Sequence, residues 1–191
     1  MKSIAKYLCL LVFFGTAFSF AEAQDLPPEI RGYKVHRAKI SIVGEAEKPA
    51  ESAPEVSVTI GEPELVDVSL ARIVFAMSAE LISAKQSGTV DFLTFHDFRV
   101  NDLKVDVAEY RAPFEFRKNR IVALPKPIEI SLGARQTLRG ALRELKESKS
   151  EWTVTGRVFV FGRFKKSFLK FKRVVPVEIN LKIKNPLKKN S

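Results

Sequence analysis

Apolar and polar residues alternate in many short stretches of this chain. The clearest stretch is Val177–Lys184, in which every second residue is apolar and the others are charged or carry an amide. A period of two places the two kinds of residue on opposite faces of a strand, so the stretch predicts a half-buried β-strand. The same reasoning predicts about eight short strands, over or within Tyr33–Val43, Val56–Ile60, Val66–Ile82, Leu103–Phe116, Ile121–Leu124, Ile128–Leu132, Trp152–Val160 and Val177–Ile183.

One stretch has a helical period instead. Its apolar residues recur at intervals of three and four, which places them on one face of a helix: Ala134, Leu138, Ala141, Leu142 and Leu145. A helix this short is marginal alone, so its leucine face must be buried. Because Trp152 begins a strand soon after, we predict a single helix that closes one end of a sheet.

Strands joined by tight turns, with only one helix, predict an antiparallel sandwich or barrel and disfavour a parallel sheet with helical crossovers. Ser83–Asn101 has no clear pattern, and Lys85–Gly88 at its start is a predicted turn. Asn101-Asp102 is a further predicted turn, and Lys118-Asn119 is a hairpin turn candidate. We expect Gly156 and Gly162 to relieve close packing or to form bulges in the Trp152 strand.

The first 23 residues have the pattern of a signal peptide. Lys2 and Lys6 precede a mostly apolar run of about 13 residues, and Ala21-Glu22-Ala23 is typical of a cleavage site. An uncleaved membrane anchor is the alternative, although the run is short for a spanning helix. We therefore predict a periplasmic or secreted protein that begins at Gln24. Its one cysteine, Cys9, lies in the leader, so the processed protein has no disulfide.

The remainder is predicted to form one domain. We expect an N-terminal strand and a mobile linker over residues 24–53, a sandwich over 54–184 and a basic tail over 185–191. No further stretch is apolar enough to span a membrane. The net charge is +10 for the whole chain, and residues 151–191 contain eleven Lys or Arg against two acids. The excess positive charge is therefore concentrated in the last quarter of the chain, which bears on partners and not on fold.

Candidate catalytic and metal-binding residues are few. His36 and His96 are the only histidines, so a His/Cys metal site is not expected. His96-Asp97 could begin an acid–base pair, but neighbouring residues of a strand point to opposite faces. Asp97, Asp102, Asp106 and Glu109 lack the spacing of a calcium-binding loop. No phosphate-binding loop or nucleophile elbow occurs, and we predict neither a cofactor nor an enzymatic activity.

The stretch Arg163–Arg173 alternates basic and aromatic residues. It supplies a candidate binding surface for anions, consisting of Arg163, Lys165, Lys166, Lys170, Lys172 and Arg173. The spacing of Phe164, Phe168 and Phe171 allows a short amphipathic helix, whereas a β-hairpin would bury the phenylalanines and expose the lysines. An exported protein rarely meets nucleic acid. The expected partners are therefore anionic lipid, lipopolysaccharide or an acidic polymer.

The order of several segments resembles the late embryogenesis abundant group 2 (LEA-2) domain, also called the water stress and hypersensitive response (WHy) domain. The segments are PELVDVSLARIVFAMSAEL, LKVDVAEYRAPFEF, KPIEISL, ARQTLRGALRELKES, EWTVTGRVFV and GRFKKSFLKFKRVVPVEINL, within about Pro54–Leu181. Members usually carry Asn-Pro-Asn after the second strand, and here Ile82–Gly88 with extra sequence to Asn101 replaces it. The resemblance implies an immunoglobulin or fibronectin III-like sandwich with one helix. It also implies stress tolerance, binding of hydrophobic or membrane material, or a structural role in the envelope, and no agreed enzymatic activity.

Three functions remain open from the sequence. The first is a non-enzymatic exported sandwich whose basic hairpin contacts anionic material in a stress-protective or envelope-associated role. The second is an assembly module that pairs through a strand edge, which a long uncovered edge at Val177–Lys184 would favour. The third is a hydrolase of unrecognised type, which a cleft holding His96, Asp97 and a further acid would favour. The oligomeric state is not predicted.

Overall fold

The computed structural model describes residues 26–44, 55–69, 71–133, 150–166 and 169–186. The predicted leader, most of the linker, the predicted helix over 134–149 and the end of the tail lie outside these residues. The described part forms fifteen strands: β1 Glu29–Ile30, β2 Tyr33–Val35, β3 Ile40–Gly44, β4 Val56–Ile60, β5 Glu64–Val68, β6 Arg72–Met77, β7 Ala79–Ser83, β8 Ser87–Val100, β9 Leu103–Lys104, β10 Asp106–Val107, β11 Phe114–Phe116, β12 Ile121–Ala123, β13 Ile128–Gly133, β14 Glu151–Lys166 and β15 Leu169–Lys184.

The largest sheet is built on three long strands, β8, β14 and β15. Its order is β1-β2-β15-β14-β8-β11, and β9 pairs with β8. Strands β14 and β15 are antiparallel over their full length, from Glu151 opposite Lys184 to Lys166 opposite Leu169. We call this seven-stranded sheet the large sheet. The sequence predicted about eight short strands, but these three contain 14, 16 and 16 residues.

Two four-stranded sheets form the facing layer. The β6 sheet has the order β10-β13-β6-β5, and the β4 sheet has the order β12-β7-β4-β3. Only Ser78 separates β6 from β7, so the chain passes directly from one small sheet to the other. Both pack on the same face of the large sheet, and the fold is the predicted β-sandwich.

Pairing among the named strands is antiparallel except at two places. Strand β3 runs parallel to β4, with Ile40 opposite Val56, and β2 runs parallel to β15, with Arg173 opposite Lys34. Both exceptions involve strands that precede residue 45, where the chain passes from one sheet to the other. The predicted antiparallel sandwich is confirmed, and these two parallel pairs are additions that the sequence did not predict. The first strands also pair directly with the sheets of the sandwich.

The core is tightest where the β6 sheet covers the large sheet. Trp152 and Val154 are each 2% exposed, and the Trp152 ring meets the Phe75 ring edge-on with centroids 5.4 Å apart. The predicted alternation is confirmed here, because Val177, Ile179, Leu181 and Ile183 are all buried. Burial of such apolar side chains is the main stabilising contribution to a disulfide-free fold.

The outer face of the large sheet is also covered at one place. Phe159, Phe161 and Val174 are buried there beneath residues of the first strands, including Ile30, Tyr33 and Val35. The sequence predicted a half-buried Trp152 strand, but β14 is buried on both faces along this part. Because the first strands cover this face, apolar Phe159 and Phe161 stand where a half-buried strand would carry polar residues.

Strand β8 occupies the part of the chain without a clear pattern. It lies between β14 and the edge strand β11, and both of its faces are packed, so apolar residues do not alternate cleanly. The predicted turn at Asn101-Asp102 follows it, and both residues have positive φ. Because β8 begins at Ser87, the predicted turn at Lys85–Gly88 is two residues too long.

Candidate functional site at the hairpin end

Strands β14 and β15 form a β-hairpin where the sequence left helix and hairpin open. Arg163 lies opposite Lys172, and Lys165 lies opposite Lys170. Strand alternation places these four residues on one face, the outer face of the large sheet. Like charges directly opposite each other are unfavourable. This part of the hairpin therefore holds a concentration of positive charge that an anionic partner would relieve.

Arg163 is neutralised within the protein. Its Nε and Nη2 atoms donate to Oδ1 of Asp91 at 3.1 Å and 2.7 Å. The Tyr33 hydroxyl donates to the other carboxylate oxygen at 3.1 Å. Burial and the adjoining Asp91 carboxylate raise the pKa of Tyr33. Arg163 therefore helps to hold the first strands against the large sheet and contributes little free charge to the surface.

The other predicted residues divide between two faces. Lys172 Nζ lies 5.8 Å from the centre of the Tyr33 ring, on the outer face. Arg173 lies on the opposite face, where its guanidinium is 5.3 Å from the centre of the Phe171 ring. The side chain of Lys166 is outside the described part. The six predicted residues therefore do not form one continuous site.

Three further cations join Lys165 and Lys170. Arg117, Lys118 and Arg120 lie in and beside the turn between β11 and β12, and all five cations are exposed. Together with Glu115 they line a cleft of about 400 Å³. No described carboxylate forms an ion pair with any of the five. We call these five residues the cationic cluster.

The predicted anion-binding surface did not include the three turn cations, although the sequence RKNR at 117–120 was a visible signal. A turn is present at Lys118-Asn119, and Asn119 has a positive φ of 56°, but the turn joins β11 and β12 of two different sheets and is not the predicted hairpin turn. The Asn119 N–H donates to the Ser83 carbonyl at 2.7 Å, which fixes the turn beside β7. Only the pairing of β11 with β8 reveals that this turn lies beside Lys165, because Ser87 of β8 lies opposite Lys165.

The inward face of the same hairpin is apolar. Phe164 lies opposite Phe171, and Leu169 lies one pair nearer the turn on the same face. Phe164 packs against Phe116, whereas Phe171 and Leu169 are 36% and 49% exposed. Both rings therefore lie on the inward face, as the hairpin alternative requires, but Phe171 is exposed there and not buried. Phe168 is outside the described residues. The hairpin is basic on one face and carries exposed apolar side chains on the other.

An apolar cavity lies between the large sheet and the β4 sheet. Its volume is about 130 Å³, and its walls are almost wholly aliphatic and aromatic. Val158, Val160 and Phe164 line it from the large sheet, and Val56 and Val58 line it from the β4 sheet. The cavity extends to Phe116, which also borders the cationic cleft.

Polar residues lie only at the mouth of this cavity: His36, Glu55 and Gln86. Burial lowers the pKa of His36, and the positive charge of Arg173 lowers it further, while Glu55 acts in the opposite direction. Glu55 accepts from Lys85 Nζ at 3.0 Å, so its charge is compensated. Arg173 forms no ion pair with a described carboxylate and supplies positive charge at the mouth.

His96 and Asp97 do not form the pair that an enzyme would require. The His96 ring is 3.3 Å from Thr94 Oγ1 and meets the Phe159 ring edge-on at 5.0 Å. Both residues are exposed, and Asp97 adopts a positive φ of 52°. The described residues contain no group of three His, Cys, Asp or Glu side chains that could hold a metal ion.

One edge of the large sheet is only partly paired. Strand β15 pairs with β14 on one side, and on the other side β2 pairs with it only at Arg173 and Val174. No described strand pairs with this second side from Val175 to Ile183, although β3 approaches it where a Cβ atom on Gly44 would lie 3.0 Å from the Lys182 carbonyl oxygen. The described residues also include no helix long and apolar enough to cross a membrane.

Comparisons with known proteins give distant similarities only. No protein-family model matches the chain, and no curated protein matches it. A crystal structure of a protein from Archaeoglobus fulgidus is similar over 65% of this chain and 93% of its own, with 12% identity and a TM-score of 0.36. The solution structure of a protein described as late embryogenesis abundant (LEA) is similar over 69% of this chain and 73% of its own, with 8% identity and a TM-score of 0.29. Similarities this distant do not assign the chain to a family.

Proposed function

We propose that this protein is a non-enzymatic, exported β-sandwich that binds anionic lipid surfaces through its hairpin end, in an envelope-associated or stress-protective role. The observation that carries the proposal is the combination of the cationic cluster with exposed Leu169 and Phe171. Cations attract an anionic surface, and apolar side chains enter the boundary between headgroups and acyl chains. An acidic polymer would use the cations alone, so the apolar pair favours lipid.

Export is part of this proposal and is supported by the leader pattern of residues 1–23. A protein outside the cytoplasm meets membrane surfaces and lipopolysaccharide more often than nucleic acid. Each basic residue close to an anionic bilayer contributes roughly 1 kcal/mol to binding. A few lysines are therefore enough to produce measurable and salt-dependent association.

Vesicle co-sedimentation tests the proposal. The purified protein is mixed with vesicles of phosphatidylcholine alone or of phosphatidylcholine with phosphatidylglycerol. We expect binding to the acidic vesicles only, weakened by salt. In the variant Lys118→Ser/Lys165→Ser/Lys170→Ser, the affinity should fall about 100-fold if each lysine contributes roughly 1 kcal/mol.

The matched control is Lys104→Ser/Lys126→Ser/Lys182→Ser, which removes three exposed lysines elsewhere and gives the same net charge. We expect this control to bind acidic vesicles within a few-fold of the unchanged protein. Equal losses in both variants would mean that overall charge, and not the hairpin end, determines binding. Equal binding by the hairpin variant and the unchanged protein would refute the proposal.

Assembly through a strand edge is the second candidate. The side of β15 from Val175 to Ile183 that no described strand pairs with is the observation that favours it. An added strand would use the backbone groups on that side, which belong to Glu178 and Asn180 because Val174 already points its carbonyl there to accept from His36. Hydrogen exchange at Glu178 and Asn180, measured with light scattering over a range of concentrations, tests it. A monomer whose exchange does not depend on concentration would contradict pairing between copies.

A further inference from the structure

The two layers of the sandwich fit closely at one end and stand apart at the other. Along β14, Trp152 and Val154 face inward and are each 2% exposed. Val158, Val160 and Phe164 also face inward, yet each remains partly accessible. Protein interiors are normally close-packed. The facing layers therefore leave space that their own described side chains do not fill.

The opposite wall shows the same departure from close packing. All five residues of β4 are of intermediate burial, including Val56, Val58 and Ile60, which face the cavity. The cavity of about 130 Å³ approaches the size of an engineered cavity of about 150 Å³ that remains dry and binds benzene. The occupant must be apolar, because the walls offer almost no partner for a buried water. Residues 45–54, which connect β3 to β4, contain only alanine and proline as apolar residues, so this connection has no large side chain to offer.

Close to His36, which lines the cavity, Arg173 carries a positive charge that pairs with no described carboxylate. Arg173 precedes Val175 by two residues, so both lie on the inward face of β15, and Val175 lines the cavity. Glu55, the acid at the mouth, is already paired with Lys85 at 3.0 Å. An anionic group at the mouth would therefore meet Arg173 without competition from Glu55.

We propose that the cavity binds the tail of a single-chain anionic amphiphile of the fatty-acid class, with the carboxylate at Arg173. The tail lies in the cavity between Val58 and Val160, and it passes Phe164 on the way to the carboxylate beside Arg173. This assignment deepens the proposed function, since it rests on the same hairpin end and names the lipid component that the end recognises.

Fluorescence of cis-parinaric acid, which increases in apolar surroundings, tests the site on protein from which lipid has been extracted. We expect saturable binding that palmitate displaces. Val58→Trp places a large ring in the cavity and should weaken binding at least about tenfold. Val66→Trp is the matched control, because Val66 is 61% exposed on the edge strand β5. It should leave the binding of cis-parinaric acid unchanged.

Arg173→Gln tests the headgroup contact. We expect palmitate to lose about tenfold in affinity, which corresponds to one charge-assisted hydrogen bond, while hexadecanol competes equally well with both proteins. Circular dichroism verifies folding, and Ala38→Phe, which also fills the cavity, replaces Val58→Trp if that variant does not fold. No saturable binding, or equal binding by the unchanged protein and the folded cavity variant, would overturn the proposal.

Failure here is distinguishable from failure of the proposed function. Val58→Trp leaves every cation in place, so it should still co-sediment with acidic vesicles. The lysine triple variant retains the cavity and Arg173, so it should still bind cis-parinaric acid. If the unchanged protein binds fatty acid but not acidic vesicles, only the proposed function fails. If it binds acidic vesicles but not fatty acid, only the cavity proposal fails.

Discussion

Arg163 donates two hydrogen bonds to a single carboxylate oxygen of Asp91, across the pairing of β14 with β8. The other oxygen of Asp91 accepts from Tyr33, on a strand that covers the outer face of the large sheet. A residue that looks like part of a basic surface in the sequence thus has a structural role. Its neighbour Lys165, two residues further along the same face, has no such carboxylate among the described residues.

The first prediction compares these two neighbours. Lys165→Ser should weaken binding to acidic vesicles by about fivefold, since it removes roughly 1 kcal/mol of attraction. Arg163→Ser/Asp91→Asn, which removes the compensated pair as a whole and leaves the net charge unchanged, should change binding less than twofold. Co-sedimentation of the two variants measures the difference. A larger loss in the double variant would mean that Arg163 leaves Asp91 to contact lipid.

The second prediction concerns Asp91 itself. Asp91→Asn removes the ion pair with Arg163 and weakens the contact with Tyr33, and the Asp91 side chain is only 18% exposed. Because Arg163 is about half exposed, we expect a modest loss of about 1 kcal/mol in the free energy of unfolding. Urea unfolding followed by tryptophan fluorescence measures it. Arg31→Gln, which removes a more exposed ion pair with Glu109, should cost less and provides the comparison.

The third prediction concerns Gly156, which the sequence identified as a bulge or a relief of packing. It lies at an irregularity in the pairing of β14 with β8, and its φ is +157°. A Cβ atom there would lie 2.6 Å from the buried Phe98 ring. We expect Gly156→Ala to lower the free energy of unfolding by about 1–3 kcal/mol. Thr153→Ala, at an exposed position of the same strand, should cost much less.

The fourth prediction concerns pH. The folded-state pKa of His36 is lowered, by burial first and by Arg173 second, from the ordinary value of 6.5. The unfolded chain therefore takes up a proton before the folded one as the pH falls below about 6.5. The contribution of neutral His36 to stability is constant above that pH and is lost below it. Thermal unfolding at about pH 7.5 and 5.5 should show a smaller decrease in Tm for His36→Gln than for the unchanged protein. Equal decreases would contradict this role.

The fifth prediction concerns the leader. The full chain expressed in an exporting host should yield a protein whose intact mass lacks residues 1–23 and whose first residue is Gln24. The reason is that Ala21 and Ala23 present small side chains to a signal peptidase after an apolar run of suitable length. Ala23→Leu, which blocks the small-residue position, should leave the leader attached. A full-length mass for the unchanged protein would instead support the membrane-anchor alternative.

Much of the sandwich could be predicted because its strands are buried on one face. Val177–Lys184 and Val56–Ile60 alternate in the sequence, and both are strands over the predicted residues. Prediction failed where a strand is covered on both faces. Strand β8 has apolar residues packed on both faces, such as Leu93 and Phe92, and Phe159 and Phe161 of β14 are buried beneath the first strands. A strand segment that is covered on both faces has no polar face, so apolar and polar residues no longer alternate along its sequence.

The candidate site shows the same division. The sequence by itself determined that positive charge accumulates in Arg163–Arg173 and that phenylalanines interleave with it, because charge and side-chain type are properties of the residues. Only the tertiary structure decided which charges remain free, since Asp91 reaches Arg163 from β8 and the turn cations reach Lys165 through β11. The tertiary structure also determined that a cavity separates the two layers between Val58 and Val160. Such a gap depends on how two sheets are spaced in three dimensions, and no local pattern of residues records that spacing.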